Sequence, residues 1–325
     1  MDGAILSYGE LRNAPDLDSL TARAAERGLT PGWIDREVPI LYREPHTDFL
    51  PVHWKYEEAR AAMDGAARLI GTDLAERRNL IMRNPIAGND IATARTLICA
   101  YQTILPGEQA ASHRHAPHAL RVILDSDGAW SVVDGEKHPM LTGDVVLTPG
   151  GSWHGHGHDG AEQAYWFDGL DVPLVHLLEP MYVEGHPAGM EPVKRTVTDS
   201  PYRFPMERTL RELDAAAADP EGHFDRRIRY ETPEMPTIAI TMHRMDGGFR
   251  GRPYRCTANS VFVVMQGSGR STIDGRTIDW TYGDTVVSPS WKKAEHSAAA
   301  DTILFQMSDE ELIRWAHYWR FEAMD

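Results

Sequence analysis

The sequence predicts an all-β fold: two copies of one antiparallel barrel behind a partly helical N-terminal arm. Three observations carry this. From Ile91 onward, short runs rich in Val, Ile, Leu and Thr are separated by glycine-bearing turns such as Asp127-Gly128, Asp134-Gly135 and Pro149-Gly150, the pattern of a sandwich or barrel. An ordered set of turn residues recurs 140 positions later: Gly107 with Gly247, Asp134-Gly135 with Asp274-Gly275, Gly143-Asp144 with Gly283-Asp284, and Pro149 with Pro289. Residues 1–90 lack the pattern and alternate helical pieces with proline-rich chain.

Taken in order, Leu17 to Arg27 reads as a short helix with Asp16 as its cap and Pro15 before it. Gly32-Trp33 and Pro39 end any helical pattern beyond it. Tyr56 to Leu69 is rich in alanine and charge and reads as a second helix, with Gly65 inside it. Pro45, Pro51 and Pro85 place irregular chain around these pieces. Strands are then expected at Thr93 to Leu105, Ala119 to Leu124, Ala129 to Val133, Asp144 to Thr148, Ala164 to Phe167 and Leu174 to Leu177. Residues 181–235 read as a linker with one acidic helix, Met206 to Ala218. Strands resume at Thr237 to Met242, and the amphipathic tail Glu310 to Phe321 reads as a helix. The domains are therefore 1–90 (arm), 91–180 (first barrel), 181–235 (linker) and 236–325 (second barrel with a C-terminal helix).

Bulk properties narrow the function. The 325 residues suffice for two cores. Apolar content of 42% and charged content of 25% are those of a globular protein. No apolar run is long enough for a membrane span, and no basic-then-apolar leader opens the chain, so the cytoplasm is the expected compartment. Cys99 and Cys256 read as two buried thiols rather than a disulfide. A formal charge of −15 argues against nucleic acid as a partner, while leaving room for a small acid held by local arginines.

The chemistry concentrates between Gly107 and His158. His113 and His115 are one residue apart, so on a strand they share a face. His154 comes after a proline-glycine turn and can arrive from a neighbouring strand. Three neutral imidazoles suit Fe, Zn, Cu or Ni and leave the ion its full charge. A solvent-facing HxH pair is the competing reading. The repeat supplies a comparison: at the 140-residue offset the three positions hold Pro253, Arg255 and Ala294, so the fold itself does not require the histidines. His296, two places further on, stands without a pair. Arg121 lies six residues past His115 and by strand parity faces inward, where a guanidinium can clamp a carboxylate. His156 is placed for acid–base work or a substrate hydroxyl. His118 and His158 read as exposed. Asp168 comes directly after Tyr165-Trp166-Phe167 and reads either as an orienting carboxylate or as a turn residue before Gly169.

These blocks, GEQAASHRHAPHALR, GDVVLTPGGSWHGHG and WFDGLDVPLV, with GFRGRPYRCTANSVFVVMQGSGRSTIDG in the second half, resemble the bicupins of the gentisate 1,2-dioxygenase group. That group includes salicylate, substituted-salicylate and 1-hydroxy-2-naphthoate 1,2-dioxygenases. The resemblance runs from about Leu41 to about Met307 and implies two double-stranded β-helix (jelly-roll) barrels, the second metal-free. It implies Fe(II) on His113, His115 and His154, chelated by the carboxylate and ortho-hydroxyl of an aromatic acid, with O₂ as co-substrate and the C1–C2 ring bond cleaved. Substrate contacts would fall on Arg121, His156 and Asp168, on Arg77 or else Arg78 or Arg83, and on Ala100 and Gln102, where members vary with substrate. His156, Arg121 and Asp168 would carry the catalysis. No organic cofactor is implied, and homotetramers or homodimers are usual. Two departures from the general cupin pattern are visible. No carboxylate comes after the HxH within Ala116 to Arg121, a loss the ring-cleaving group shares, and GHGHDG forms a glycine-rich loop after His154.

Gentisate ranks first as substrate on family frequency. A 5-nitro- or 5-chlorosalicylate, or salicylate itself, comes next, and hydroxynaphthoate third because it needs more room. A cupin isomerase or decarboxylase and a small-molecule-binding bicupin are the readings from other classes.

Overall fold

The computed structural model describes residues 8–71 and 78–324. The chain divides into two units, Met1–Glu44 and Pro45–Asp325. In the small unit, helices span Tyr8–Arg12 and Leu17–Ala25. The second starts where expected because Asp16 Oδ1 accepts from Ser19 N at 2.7 Å, which satisfies one of the N–H groups a helix start leaves unpaired.

Among the described residues the large unit contains four sheets. The first half contributes a sheet of Ile98–Ile104, Ala119–Asp125, Val145–Thr148 and Ala164–Leu170, edged by Asn79–Ile81 and Arg203–Phe204. Its second sheet holds Gln109–His115, Ala129–Val133, Glu136–Met140 and His154–His158, edged by Val183–Gly185 and Arg195–Thr196. The second half repeats this order in a sheet of Ala239–Met245, Ser260–Gln266, Thr285–Ser288 and Thr302–Ser308, edged by Val52–Trp54 and Arg226–Arg229. Its partner sheet holds Tyr254–Cys256, Ser268–Ile273, Arg276–Thr281, Ala294–Ala298 and Phe321–Ala323. The hairpin turns recur as well: Asp134 and Gly135 take φ of 49° and 87°, and Asp274 and Gly275 take 51° and 79°, the left-handed pair that a two-residue hairpin needs.

Three apolar clusters arise from strand alternation. Inside the first half, Ile104, Ile123, Val146 and Trp166 meet Ala129 and Met140 of the other sheet. Inside the second, Phe224, Phe262, Leu304 and Trp280 do the same. The opposite faces of the two central sheets pack on each other through Leu120, Val122, Phe167, Val263, Phe305 and Met307. Strand Ala119–Asp125 is thus buried on both sides, which explains its near-continuous apolar run. At Gly169 a Cβ would meet the Met307 thioether, which would have to shift.

The fold is mixed rather than purely β. Helices Tyr56–Leu69, Val172–Leu178, Met206–Ala215 and Glu310–Trp315 belong to the large unit. Leu174 to Leu177, expected as a strand, lies within the second of these. Pro173 sits in its first turn, where a missing N–H costs nothing, and a short apolar run fits either element. No helix of the described residues is long and apolar enough to cross a membrane. Both cysteines are free thiols, Cys99 buried and Cys256 half-buried.

The repeated Gly-Asp turn has a physical role. Asp144 Oδ1 accepts from Met206 N at 3.0 Å, the first residue of helix Met206–Ala215. Asp284 Oδ1 accepts from Tyr56 N at 2.9 Å, the first residue of helix Tyr56–Leu69. Neither helix has a side-chain cap of its own, so each borrows a carboxylate from a sheet turn. The glycine before each aspartate lets the helix approach: a Cβ at Gly143 would strike Met206, and one at Gly283 would strike Tyr56.

Candidate active site

Strands Gln109–His115 and His154–His158 pair antiparallel with His113 directly opposite His154. A register shift between Ala110 and His113 aligns the pair. His113 and His115 share one face, and the three rings converge, with centroids 4.3 Å (His113–His154), 4.7 Å (His115–His154) and 5.5 Å (His113–His115) apart. Their ligating atoms all lie within 4.8 Å of one another.

Backbone carbonyls fix the tautomers. His113 Nδ1 faces Ala111 O at 3.3 Å, His115 Nδ1 faces Pro117 O at 2.8 Å, and His154 Nδ1 faces Ser152 O at 3.0 Å. A carbonyl only accepts, so each Nδ1 carries the proton and each Nε2 keeps its lone pair for a metal. Burial, reinforced by neighbouring cationic groups, pushes His115 down to about 4 and His154 well below the ordinary imidazole value, so these ligands are neutral and ready to coordinate. The group contains no carboxylate. The donor set fits a divalent ion that keeps open positions for oxygen ligands.

The stretch after His154, expected as a glycine-rich loop, is the strand His154–His158. Alternation turns the histidines to one face and the glycines to the other. The glycines are steric requirements, since a Cβ at Gly155 would meet Ser112 and one at Gly157 would enter the Trp130 indole. His156 therefore faces the same interior as His154. It is buried, with Nε2 3.5 Å from Gln102 Nε2 and its ring edge-on to Trp166 at 5.4 Å. Burial, with the nearby Arg121 charge, holds it well below the ordinary value. His158, expected exposed, is buried and bonded to Glu162 O; His118 is half-buried and accepts from Gly150 N at 2.9 Å.

Arg121 approaches from the other sheet. Residues 116–118 carry the chain across, so parity from His115 does not operate; Arg121 faces inward because it alternates with Leu120 and Val122, which pack on the second half. It is buried, donates from Nη1 to Thr148 Oγ1 at 3.1 Å, and lies with Nε 3.4 Å from Asp168 Oδ1. Asp168 stands directly opposite Arg121 on one side and Ala100 on the other, and accepts from Trp166 Nε1 at 3.0 Å. Burial pushes its carboxyl up to about 6, outweighing the opposing pull of Arg121 and the Trp166 bond.

All these groups line one cavity of about 260 Å³: His113, His115, His154, His156, Arg121 and Asp168, with Ala100 and Gln102 on its wall. Asn79, Ile81, Ile98, Cys99, Ala119, Leu170 and Val172 complete it. The sequence reading missed these; Ala119 was reachable by parity from Arg121, whereas Asn79 enters on an edge strand, directly opposite Gln102, that carries no sequence signal. Arg83 is not part of the cavity. It is exposed and donates to Asn89 O at 3.3 Å, because it lies beyond the edge strand Asn79–Ile81. Arg78 is buried in an ion pair with Glu108. Arg77 lies outside the described residues.

In the second half the corresponding interior is filled differently. Phe224 stacks between His243 (4.0 Å) and His296 (5.3 Å). His243 Nε2 bonds Gln306 Oε1 at 2.7 Å and His296 Nδ1 bonds Ser271 Oγ at 2.8 Å.

Known proteins share this architecture. Residues 100–172 match the family described as a cupin domain. The chain is 33% identical over 309 residues to gentisate 1,2 dioxygenase 1 of Aquipseudomonas alcaligenes, covering 86% of this chain and 89% of that one. It is 30% identical over 347 residues to 5-aminosalicylate 1,2-dioxygenase of a Comamonas species, covering 96% and 92%. The crystal structure of salicylate 1,2-dioxygenase from Pseudaminobacter salicylatoxidans superposes with a TM-score of 0.84 at 26% identity, covering 95% of this chain and 98% of that one.

Proposed function

Since the chain belongs to the gentisate and salicylate 1,2-dioxygenase family of ring-cleaving, iron-dependent enzymes, we propose that its substrate is a salicylate carrying a small polar group at C5. Gentisate is the 5-hydroxy member of that set. The likeness to salicylate and 5-aminosalicylate dioxygenases supports the wider salicylate class over gentisate alone. The carrying observation is that the three imidazoles and Arg121, from facing sheets, line one cavity of about 260 Å³. That space is small for a ligand pocket and favours one benzene ring over a naphthalene.

His113, His115 and His154 would hold the Fe(II). When bound, the ferrous ion supplies a common Lewis acid for carboxylate and ortho-hydroxyl and a place for O₂ beside the ring. The remaining work belongs to side chains. Arg121 takes the carboxylate, its guanidinium held in place by Thr148 and Asp168. Neutral ligands would leave a bound divalent ion its full charge, which together with Arg121 outweighs the Asp168 carboxylate and favours an anionic substrate. His156, neutral at its buried position, accepts a hydrogen bond from the ring hydroxyl as that group comes to rest. Gln102 and Asn79 offer amides to the C5 substituent. Ile98 and Leu170 keep water from the ring face.

O₂ uptake with product spectra tests this, using gentisate, salicylate, 5-aminosalicylate, 5-nitrosalicylate and 1-hydroxy-2-naphthoate. The expected order places 5-hydroxy- and 5-aminosalicylate first, with one O₂ consumed per acid. Preference for the naphthoate would overturn the substrate class, and substrate loss without O₂ uptake would overturn ring cleavage.

A further inference from the structure

The second half contains a cavity of about 540 Å³, larger than the one around the histidine triad. It opens between the two second-half sheets: Thr241, Ser260 and Gln306 line it from one, Tyr254, Cys256 and Phe321 from the other. These positions occupy the same ends of their strands as the metal-site residues do in the first half. The repeat has thus lost the metal ligands and kept the opening.

We propose that this opening is a binding site in its own right, for a hydroxylated aromatic carboxylate held without metal. The walls suit a flat ring. Tyr254 and Phe321 lie nearly parallel, 14° apart with centroids at 5.7 Å, and Trp319 continues the stack at 21° and 6.4 Å from Phe321. The volume is that of a small-molecule pocket, with aromatic rings on part of the wall and polar or charged side chains on the rest.

The charges suit an anion. Arg229 is held by Glu310 at 3.0 Å and Glu311 at 2.7 Å, and Arg314 by Glu310 at 2.6 Å. Arg227 has a looser setting: its side chain is 52% exposed and its nearest carboxylate, Asp219, stands at 3.8 Å. Asp219 is itself committed to the N–H groups of His223 and Phe224. A carboxylate entering the mouth therefore gains a guanidinium at small cost to existing pairs.

His223 specifies the hydroxyl. Its side chain is 3% exposed. Nδ1 faces Arg252 O at 2.9 Å and so carries the proton. In its uncharged form the ring presents Nε2 as an acceptor, and Nε2 has no hydrogen-bond partner among the described residues. Glu221 Oε2, on another residue lining the cavity, lies 3.6 Å away. An ionised carboxylate is itself an acceptor and cannot satisfy the ring. A buried acceptor without a donor is costly, and a ligand O–H removes that cost. The site is independent of which acid the iron centre cleaves.

The test uses 4-hydroxybenzoate, whose para hydroxyl cannot join its carboxylate on one metal ion, titrated calorimetrically into the iron-loaded full chain. Wild type is expected to bind one equivalent. Thr241→Trp, which fills the opening, should abolish binding while leaving ring-cleavage turnover intact. Arg227→Glu, a change at a half-exposed side chain, should weaken it about tenfold or more and carries the test if the tryptophan variant fails to fold. Arg121→Ala should leave the affinity unchanged. Binding that survives Arg227→Glu and disappears with Arg121→Ala would place the probe at the iron site and overturn the proposal, as would no saturable binding by wild type at millimolar probe.

Discussion

Arg121 and Asp168 face each other on adjacent strands, and their pairing sets how firmly the guanidinium is aimed. Removing the guanidinium should cost about 2–3 kcal/mol of acid binding, roughly 30- to 200-fold in kcat/KM, from the loss of a charge-assisted contact in a buried site. Arg121→Ala is expected to show this mainly as a raised KM toward every carboxylate tested; unchanged kinetics would remove the residue from the substrate contact. A second residue carries a pH signature. His138 is fully buried, neither ring nitrogen has a hydrogen-bond partner among the described residues, and the ring lies edge-on to Tyr202 at 6.3 Å. Burial, with Arg203 nearby, lowers its pKa below the ordinary 6.5. A depressed pKa means the unfolded chain binds the proton more readily, so this stability contribution is complete above 6.5 and is lost as pH falls through the lower folded value. His138→Leu should flatten the decline of Tm below that pH and raise stability at neutral pH by about 1–3 kcal/mol. Identical pH slopes in melting experiments would refute this. At this scale the meeting of His113 and His115 in one histidine cluster was legible, since their spacing puts both on one face. The setting of Arg121 was not, because its orientation is decided by what Leu120 and Val122 pack against.

Elements were read best where composition and environment agree. Helix Tyr56–Leu69 and strand Ala129–Val133 fall at their expected bounds. Val172–Leu178 and His154–His158 were misread for opposite reasons: a short apolar run hides a helix, and glycines hide a strand whose outer face has no room for side chains. The repeated Gly-Asp turns were visible as a pattern, but their role as caps was not, because each partner helix begins more than 60 residues away in one case and more than 220 in the other. The caps give a paired prediction. Asp284 accepts from Tyr56 N, from Thr281 N at 3.1 Å and from the His53 ring at 2.9 Å. Asp284→Ala should cost about 2–3 kcal/mol, lower Tm and leave KM unchanged. Asp144→Ala should lower Tm similarly and also reduce iron occupancy, because Asp144 precedes the strand Val145–Thr148, which lies against Arg121. Equal iron retention by both variants, measured by metal analysis, would contradict this division.

For the whole molecule, the two halves are stitched crosswise. The strand–helix unit Val52–Trp54 and Tyr56–Leu69 precedes the first half yet closes the second, and Arg203–Phe204 with Met206–Ala215 comes after the first half and closes it. A fragment of residues 91–180 carries every proposed metal ligand but neither its edge strand Arg203–Phe204 nor the apolar face of the second half. It should be unable to hold iron or show cooperative melting, whereas 45–325 should do both; a folded, iron-binding 91–180 would disprove the dependence. The same crossing bears on synthesis. A chain leaving the ribosome makes helix Tyr56–Leu69 early, and its carboxylate partner at Asp284 emerges more than 200 residues later. Over that interval the start of the helix lacks its capping carboxylate, so slowed translation near the 3′ end of the message should prolong the nascent polypeptide's dependence on chaperones.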